Sequence, residues 1–212
     1  MNTIDNASLY DAILFDFDGV LVDSEPVHYR CWTEILSGFG VSMDWQTYTR
    51  ECVGVADRAM FANLVAQWPG KFQIEQLVEA YEPKKARFRA MMIEELPLAA
   101  ATQELIKSLN SFPLAVVSSS GRTEVEPILE AAGLRPYFAT LVCGWEAGAL
   151  KPSPAPYLKA AEILGASRPL VVEDSATGEA SAKAAGFDVL RVKSPDEVAD
   201  AVRRQLQWAG GE

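Results

Sequence analysis

From Ala101 onward the chain settles into a rhythm that admits few folds: helical segment, short apolar run, helical segment, repeated to the end. The pattern predicts helices over 102–110, 123–132, 154–164, 177–185 and from about 195, with strands over Leu114–Ser118, 140–143, 169–173 and 188–192. Gly133, Gly165 and Gly186 follow three of these helices, the position where a helix commonly ends on glycine. Repeated units of this length imply parallel strands, because a parallel pair needs a crossover that a helix supplies. Runs such as Leu114-Ala115-Val116-Val117, with no polar alternation, belong to a sheet covered by helices on both faces.

One more apolar run, Ala12-Ile13-Leu14-Phe15, stands alone near the start and leads into Asp16-Phe17-Asp18-Gly19. Behind it, residues 20–95 read as helix after helix without a convincing strand. Val27, Cys31, Ile35 and Phe39 recur every fourth residue, one apolar face that Gly38 and Gly40 bring to an end. Ser24 is placed to cap that helix, with Pro26 in its first turn. Further helices are expected from Arg58 to Trp68, stopped by Pro69-Gly70, and from Ile74 to Met92, interrupted at Pro83. The expected organisation is an α/β core of 1–19 and 96–212, with a helical domain of 20–95 inserted after the first strand.

Composition limits the partners. A content of 49% hydrophobic and 23% charged residues is that of a soluble globular protein, and no apolar run approaches a membrane span. The formal charge of −10 argues against nucleic acid as the main partner. Basic residues are scattered except in Lys84-Lys85-Ala86-Arg87-Phe88-Arg89, too short a run to outweigh the acidic total. The start Met1–Asn6 has neither the basic nor the apolar stretch of a signal peptide, so Asn6-Ala7-Ser8 counts as a chance sequon. Cys31, Cys52 and Cys143 are far apart and odd in number, which points to reduced thiols. A cytoplasmic monomer without membrane contact is expected.

The polar residues that carry chemistry fall at strand ends, where ligands sit in a parallel sheet. Asp16 and Asp18 follow the first strand; with Gly19 turning the chain, the two carboxylates can take different tasks, one nucleophilic or metal-binding, the other handling a proton. A bare acidic pair also occurs on solvated turns. Ser118-Ser119-Ser120-Gly121 offers hydroxyls and amides to one anion, or simply caps the helix after it. Lys151, between a strand and Pro152-Ser153-Pro154, is a fixed compact cation rather than a mobile surface lysine. Glu173 and Asp174 end another apolar strand, as helix-capping acids or as hard oxygen ligands for magnesium beside Asp16 and Asp18.

Four such pieces in order resemble the motifs of the haloacid dehalogenase-like hydrolases. Asp16-Phe17-Asp18-Gly19-Val20-Leu21-Val22-Asp23-Ser24 looks like the first motif, Val116–Gly121 the second, Lys151-Pro152 the third and Glu173-Asp174 the fourth. Within the family the chain resembles the branch of sugar-phosphate phosphatases and beta-phosphoglucomutase. The resemblance implies a Rossmann-like parallel sheet core with an inserted helical-bundle cap, and a Mg2+-dependent phosphatase acting on a small phosphorylated metabolite. It implies Asp16 as the nucleophile that becomes an aspartyl phosphate, and Asp18 as general acid and base. Ser118, Ser119 and Lys151 would bind the phosphoryl group, with help from Ser120. The metal would be held by the Asp16 side chain, the Asp18 backbone carbonyl and Asp174, with Glu173 binding directly or through water. A phosphomutase uses the same core and stays open, as does a catalytically silent binding protein; a dehalogenase has no need of Asp18 or of a metal.

In the insertion, His28 (the only histidine) and Val53-Gly54-Val55-Ala56-Asp57-Arg58 resemble the first cap helix and the substrate-specificity loop. Asp57 stands where the mutase has a basic residue, with Arg58 displaced by one. Lys84 or Lys85 reaches the active site or belongs to a solvated face. The polar Glu179 and Ser181 depart from the usual family helix, and Ala99-Ala100-Ala101 replaces a frequent Pro-Gly turn.

Overall fold

A computed structural model describes residues 9–208 of the chain. The Asn6-Ala7-Ser8 sequon and the amino-terminal segment lie outside the described residues. The chain divides into two compact units, one running up to Asp23 and from Leu96 onward, the other spanning Ser24–Glu95.

The first unit holds five parallel strands, β1 (Ala12–Phe15), β2 (Leu114–Ser118), β3 (Thr140–Cys143), β4 (Pro169–Glu173) and β5 (Asp188–Arg191), in the order β3-β2-β1-β4-β5. Every residue of β1, β2 and β4 is buried, as expected of strands covered on both faces. One core cluster joins Leu14, Ala115, Val117, Val142 and Val171 to Tyr157 and Ala160 of the helix Ala155–Leu164 and to Ala182 of Ala176–Ala184. β3 and β5 are the edges, and β5 is the more exposed of the two.

The register decides where the polar residues meet. The chain builds outward from β1 through β2 and β3 on one side, then crosses back to β4 and β5 on the other, and this reversal opens a crevice at the carboxyl end of β1. Phe15 pairs with Val116 on one side and Val172 on the other, which brings Asp16, Ser118 and Glu173 out at one end of three adjacent strands.

The unit boundary falls at Asp23, four residues later than the sequence places it. Val20–Asp23 curls back on the first unit: the Leu21 and Val22 amides donate to Phe17 O, and the Asp23 amide donates to Pro97 O at 2.9 Å.

The second unit contains α1 (Glu25–Gly38), α2 (Trp45–Glu51), α3 (Asp57–Gln67) and α4 (Ile74–Glu95). Its core includes Trp32, Leu36, Met43, Tyr48, Phe61, Leu64 and Leu77. Two expectations change and one helix is added. Ser24 precedes α1 but is buried and makes no side-chain cap. The helix α2 has no sequence prediction; Asp44 caps it by accepting from the Thr47 amide at 2.7 Å. And α4 runs unbroken through Pro83, because burial of Leu77, Lys84, Phe88 and Met92 along it outweighs one lost backbone bond.

The remaining helices of the first unit are α5 (Ala100–Ser108), α6 (Arg122–Ala131), α7 (Ala155–Leu164), α8 (Ala176–Ala184) and α9 (Pro195–Trp208). No helix among the described residues is long and apolar enough to cross a membrane. The three cysteines are buried and unbridged, and burial pushes the Cys52 and Cys143 thiols up to about 12, so neither is a reactive thiolate.

Candidate active site

Asp16 is the first residue beyond β1, fixed by its amide, which donates to Val172 O at 2.9 Å. Its side chain is 10% exposed, and Lys151 Nζ donates to Oδ1 at 2.6 Å. The same Nζ donates to Glu173 Oε1 at 2.6 Å, and the lysine itself is 4% exposed. One buried cation is thus shared by two buried carboxylates. The Lys151-Pro152 peptide is cis.

Glu173 is held from every side. Its Oε1 also accepts from the Tyr157 hydroxyl at 2.7 Å, while Oε2 accepts from the amides of Asp174 and Ser175 and from Ser175 Oγ at 3.0–3.1 Å. Ser175 in turn caps α8, its Oγ accepting from the Gly178 amide at 2.9 Å. Glu173 lies so close to α8 that a Cβ on Gly178 would sit 1.7 Å from Oε1. Gly19, at φ +77°, makes the corresponding room for Asp174: its Cβ would lie 2.2 Å from Oδ2.

Asp18 points elsewhere. Its Oδ2 accepts from Ser120 Oγ at 2.7 Å and more weakly from Ser118 Oγ at 3.5 Å, and Ser118 Oγ accepts from the Ser120 amide at 3.0 Å. Ser118 is buried, whereas Ser119 is exposed. The serine loop is therefore organised around Asp18, and Ser120 has a larger part in it than its place in the triplet suggests.

The electrostatics follow from counting charges. Burial, then the neighbouring Glu173 and Asp18 acting against Lys151, hold the Asp16 carboxyl well above the ordinary carboxylate range. Burial likewise raises Asp174 to about 6, with the Glu173 charge adding to it. Although burial opposes it, Lys151 and the donors around it hold Glu173 below its usual value; Lys151 stays above its own despite burial, because Asp16 and Glu173 face it. Three carboxylates against one lysine leave the pocket short of positive charge. Asp16, Glu173 and Asp174 each present an oxygen within 4.8 Å of the others. Hard oxygen donors with a deficit of cation fit magnesium.

Tyr157 is the participant that sequence reasoning missed. It is fully buried, and Lys151 Nζ lies 4.8 Å from its ring centroid. An aromatic at apolar helical spacing reads as core, yet its hydroxyl must find a partner once buried, and here that partner is Glu173. The polar departures on α8 also have partners: Ser181 Oγ donates to Ser153 O in the lysine loop at 2.5 Å, and Glu179 pairs with Lys183 and Arg191.

In the second unit, His28 Nδ1 lies against Lys84 Nζ at 2.5 Å, and the imidazole stacks on Phe88 with centroids 3.8 Å apart. Burial, then the Lys84 charge, holds His28 well below its ordinary pKa, so the ring is neutral and accepts at Nδ1. Lys84 is buried rather than on a solvated face, while Lys85 pairs with Glu82. Asp57 begins α3 and accepts from the Tyr81 hydroxyl at 2.7 Å, and Arg58 is exposed.

The parallel sheet brings together at its central strand end a lysine-paired carboxylate, a serine loop and an acidic pair, groups suited to transfer chemistry at oxygen anions. Residues 13–192 match the family model of the haloacid dehalogenase-like hydrolases, and the chain belongs to that family. It is 31% identical over 198 residues to the fructose-1-phosphate phosphatase of Escherichia coli, covering 87% of this chain and 97% of that one. It is 28% identical over 180 residues to the phosphorylated carbohydrates phosphatase of Thermotoga maritima, covering 84% and 82%. Among solved structures it is similar to CbbY of Rhodobacter sphaeroides in complex with phosphate, at 26% identity and a TM-score of 0.70, covering 86% and 85%.

Proposed function

We propose that the chain is a magnesium-dependent phosphatase of a small phosphorylated metabolite, a sugar phosphate by its similarity to phosphatases of phosphorylated carbohydrates. The observation that carries the proposal is the buried Lys151 shared between Asp16 and Glu173 at the end of β1, with Asp18 and Ser118 beside it.

A carboxylate oxygen of Asp16 attacks phosphorus, and the bond to the ester oxygen breaks. Asp18 gives its proton to the departing alkoxide. In the second half, Asp18 takes a proton from water, the water oxygen attacks phosphorus, and the bond to Asp16 breaks to release inorganic phosphate. Lys151, Ser118 and the Ser119 amide meet the negative oxygens in both halves. Asp16, Asp174 and the Asp18 backbone carbonyl would hold magnesium, which would supply the positive charge the pocket lacks. Glu173, whose oxygens already accept from five donors, holds Lys151 and would meet the ion directly or through water.

Substrate choice belongs to the inserted unit, 24–95, as the family resemblance implies. Asp57 is engaged by Tyr81 within that unit, so the selecting groups are His28 with Lys84, and Arg58.

The test is a panel of phosphate esters, sugar phosphates and p-nitrophenyl phosphate included, with and without magnesium. Magnesium-dependent release of phosphate is expected, fastest from a sugar phosphate. Failure of every ester with magnesium present would refute the proposal in favour of a silent protein on this fold.

A further inference from the structure

Arg122 is the first residue of α6, four beyond Ser118, and Glu146 lies in a short 3₁₀ turn, Gly144–Ala147, five residues before Lys151. The two are joined by a forked pair: Arg122 Nε donates to Glu146 Oε1 at 2.7 Å and an Nη to Oε2 at 2.9 Å. The same Nη donates to Leu141 O of β3 at 2.8 Å. Glu146 Oε2 also accepts from the Cys143 amide at 3.1 Å, and its backbone carbonyl accepts from Lys159 Nζ of α7. The pair thus ties the exit of the serine loop to the end of β3, to α7 and to the entry of the lysine loop.

The backbones meet at the same place. A Cβ on Gly144 would lie 3.7 Å from Gly121 Cα and 3.8 Å from Ser120 O. The two loops whose groups must converge on one phosphoryl group therefore touch here, and Arg122–Glu146 is the polar tie across the contact. Its side chains are 39% and 34% exposed, so as an isolated ion pair it adds little stability. A guanidinium fork on a carboxylate fixes distance and angle together, which a single point contact does not. Glu126 is a looser neighbour, 3.6 Å from Arg122 and paired mainly with Arg135 at 2.8 Å.

We propose that Arg122 and Glu146 are positioning residues that set the spacing between the serine loop and the lysine loop, and so the fit of the site to a phosphoryl group. The proposal rests on the phosphatase reading above and deepens it. Neither residue touches the substrate; both act through Ser118–Gly121 and Lys151. The effect is common to all esters, since every one presents the same group to the two loops.

The experiment compares wild type with Arg122→Lys, Glu146→Gln, the double variant and the control Glu126→Gln. It reads Kd for inorganic phosphate by calorimetry with magnesium present, kcat/KM on p-nitrophenyl phosphate and two sugar phosphates, and Tm. Arg122→Lys keeps the charge and loses the fork, so it decides the question even where Glu146→Gln folds poorly. Both single variants should raise Kd and lower kcat/KM by a shared factor, on the order of tenfold for every ester. The double variant should be no worse than the singles, because they remove one interaction. Glu126→Gln should stay within about twofold of wild type, the scatter of independent surface changes. Phosphate affinity and kcat/KM within about twofold of wild type in Arg122→Lys, whatever its Tm, would overturn the proposal. Wild type that hydrolyses no ester but binds phosphate would end the phosphatase reading, and the variants' Kd would still decide the positioning role. Wild type that neither hydrolyses nor binds would end both.

Discussion

Alanine at a helical glycine ordinarily stabilises by about 0.5–1 kcal/mol, because glycine loses more backbone freedom on folding. Gly178→Ala should do the opposite. Gly178 lies in the first turn of α8 with ordinary helical backbone, so the substitution meets no conformational obstacle of its own. The obstacle is Glu173. The new Cβ would stand 1.7 Å from Oε1, 2.0 Å from Cδ and 2.4 Å from Oε2, where real approaches stay beyond 3.0 Å, so the carboxylate must retreat by about 1.3 Å.

A retreat of that size breaks or re-aims the 2.6 Å bond from Lys151 and the 2.7 Å bond from Tyr157. Hydrogen bonds to a charged group are worth about 1.5–3 kcal/mol each, so the loss is roughly 3–6 kcal/mol, less the helix gain. At about 2–4 °C per kcal/mol for a chain of this size, thermal melts followed by circular dichroism should show Tm lower by about 10 °C. Lys151, displaced with its anchor, should cost on the order of 100-fold in kcat/KM on p-nitrophenyl phosphate. Shortening the obstacle in Gly178→Ala/Glu173→Asp should recover part of the stability. A Gly178→Ala protein as stable as wild type and fully active would refute the packing of Glu173 against α8, and with it the account of how Lys151 is held.

Asp16→Asn should lower turnover by at least roughly 10,000-fold, since an amide does not replace the attacking carboxylate, while Tm without metal stays level or rises because one buried charge is gone; steady-state rates and melts decide it, and substantial residual turnover would refute the covalent route. Asp174→Ala should move the magnesium activation curve about tenfold or more to higher concentration with little change in Tm, and an unchanged curve would leave Asp174 as a helix-terminal acid only. His28, with its folded pKa below the unfolded value near 6.5, makes the folded state bind fewer protons than the unfolded one, so its contribution to stability is lost as pH falls below 6.5 towards the folded pKa. Urea titrations of wild type and His28→Gln at pH 7 and 5.5 should show wild type losing up to about 1.4 kcal/mol more per pH unit than the variant; equal losses would mean that His28 titrates normally.

How much of this was legible in the chain depended on where each group's position comes from. Asp16, Ser118, Lys151 and Glu173 could be picked out because each interrupts an apolar or proline-stiffened run at a strand end, and backbone geometry alone brings strand ends together in a parallel sheet. The α/β rhythm was readable for the same reason: Gly133, Gly165 and Gly186 punctuate it locally. What escaped depends on side chains reaching from one element to another. Tyr157 has the spacing of a core residue, and only the fold shows its hydroxyl arriving at Glu173. Gly178 looks like a blemish in a helix until Glu173 is seen occupying the space of its missing Cβ. Arg122 and Glu146 are 24 positions apart and carry no motif between them. In the inserted unit, α2 spans seven residues, too few for a helical period to register, and only Asp44 marked its start. Pro83 misled in the other direction, since a local rule about proline cannot weigh the buried face of α4 against one backbone bond. The candidate catalytic groups are thus written in local sequence, whereas what holds them together is written in pairs that only the fold brings together. Substitutions at Gly178, Tyr157, Arg122 or Glu146 should therefore damage activity while leaving all four family motifs intact.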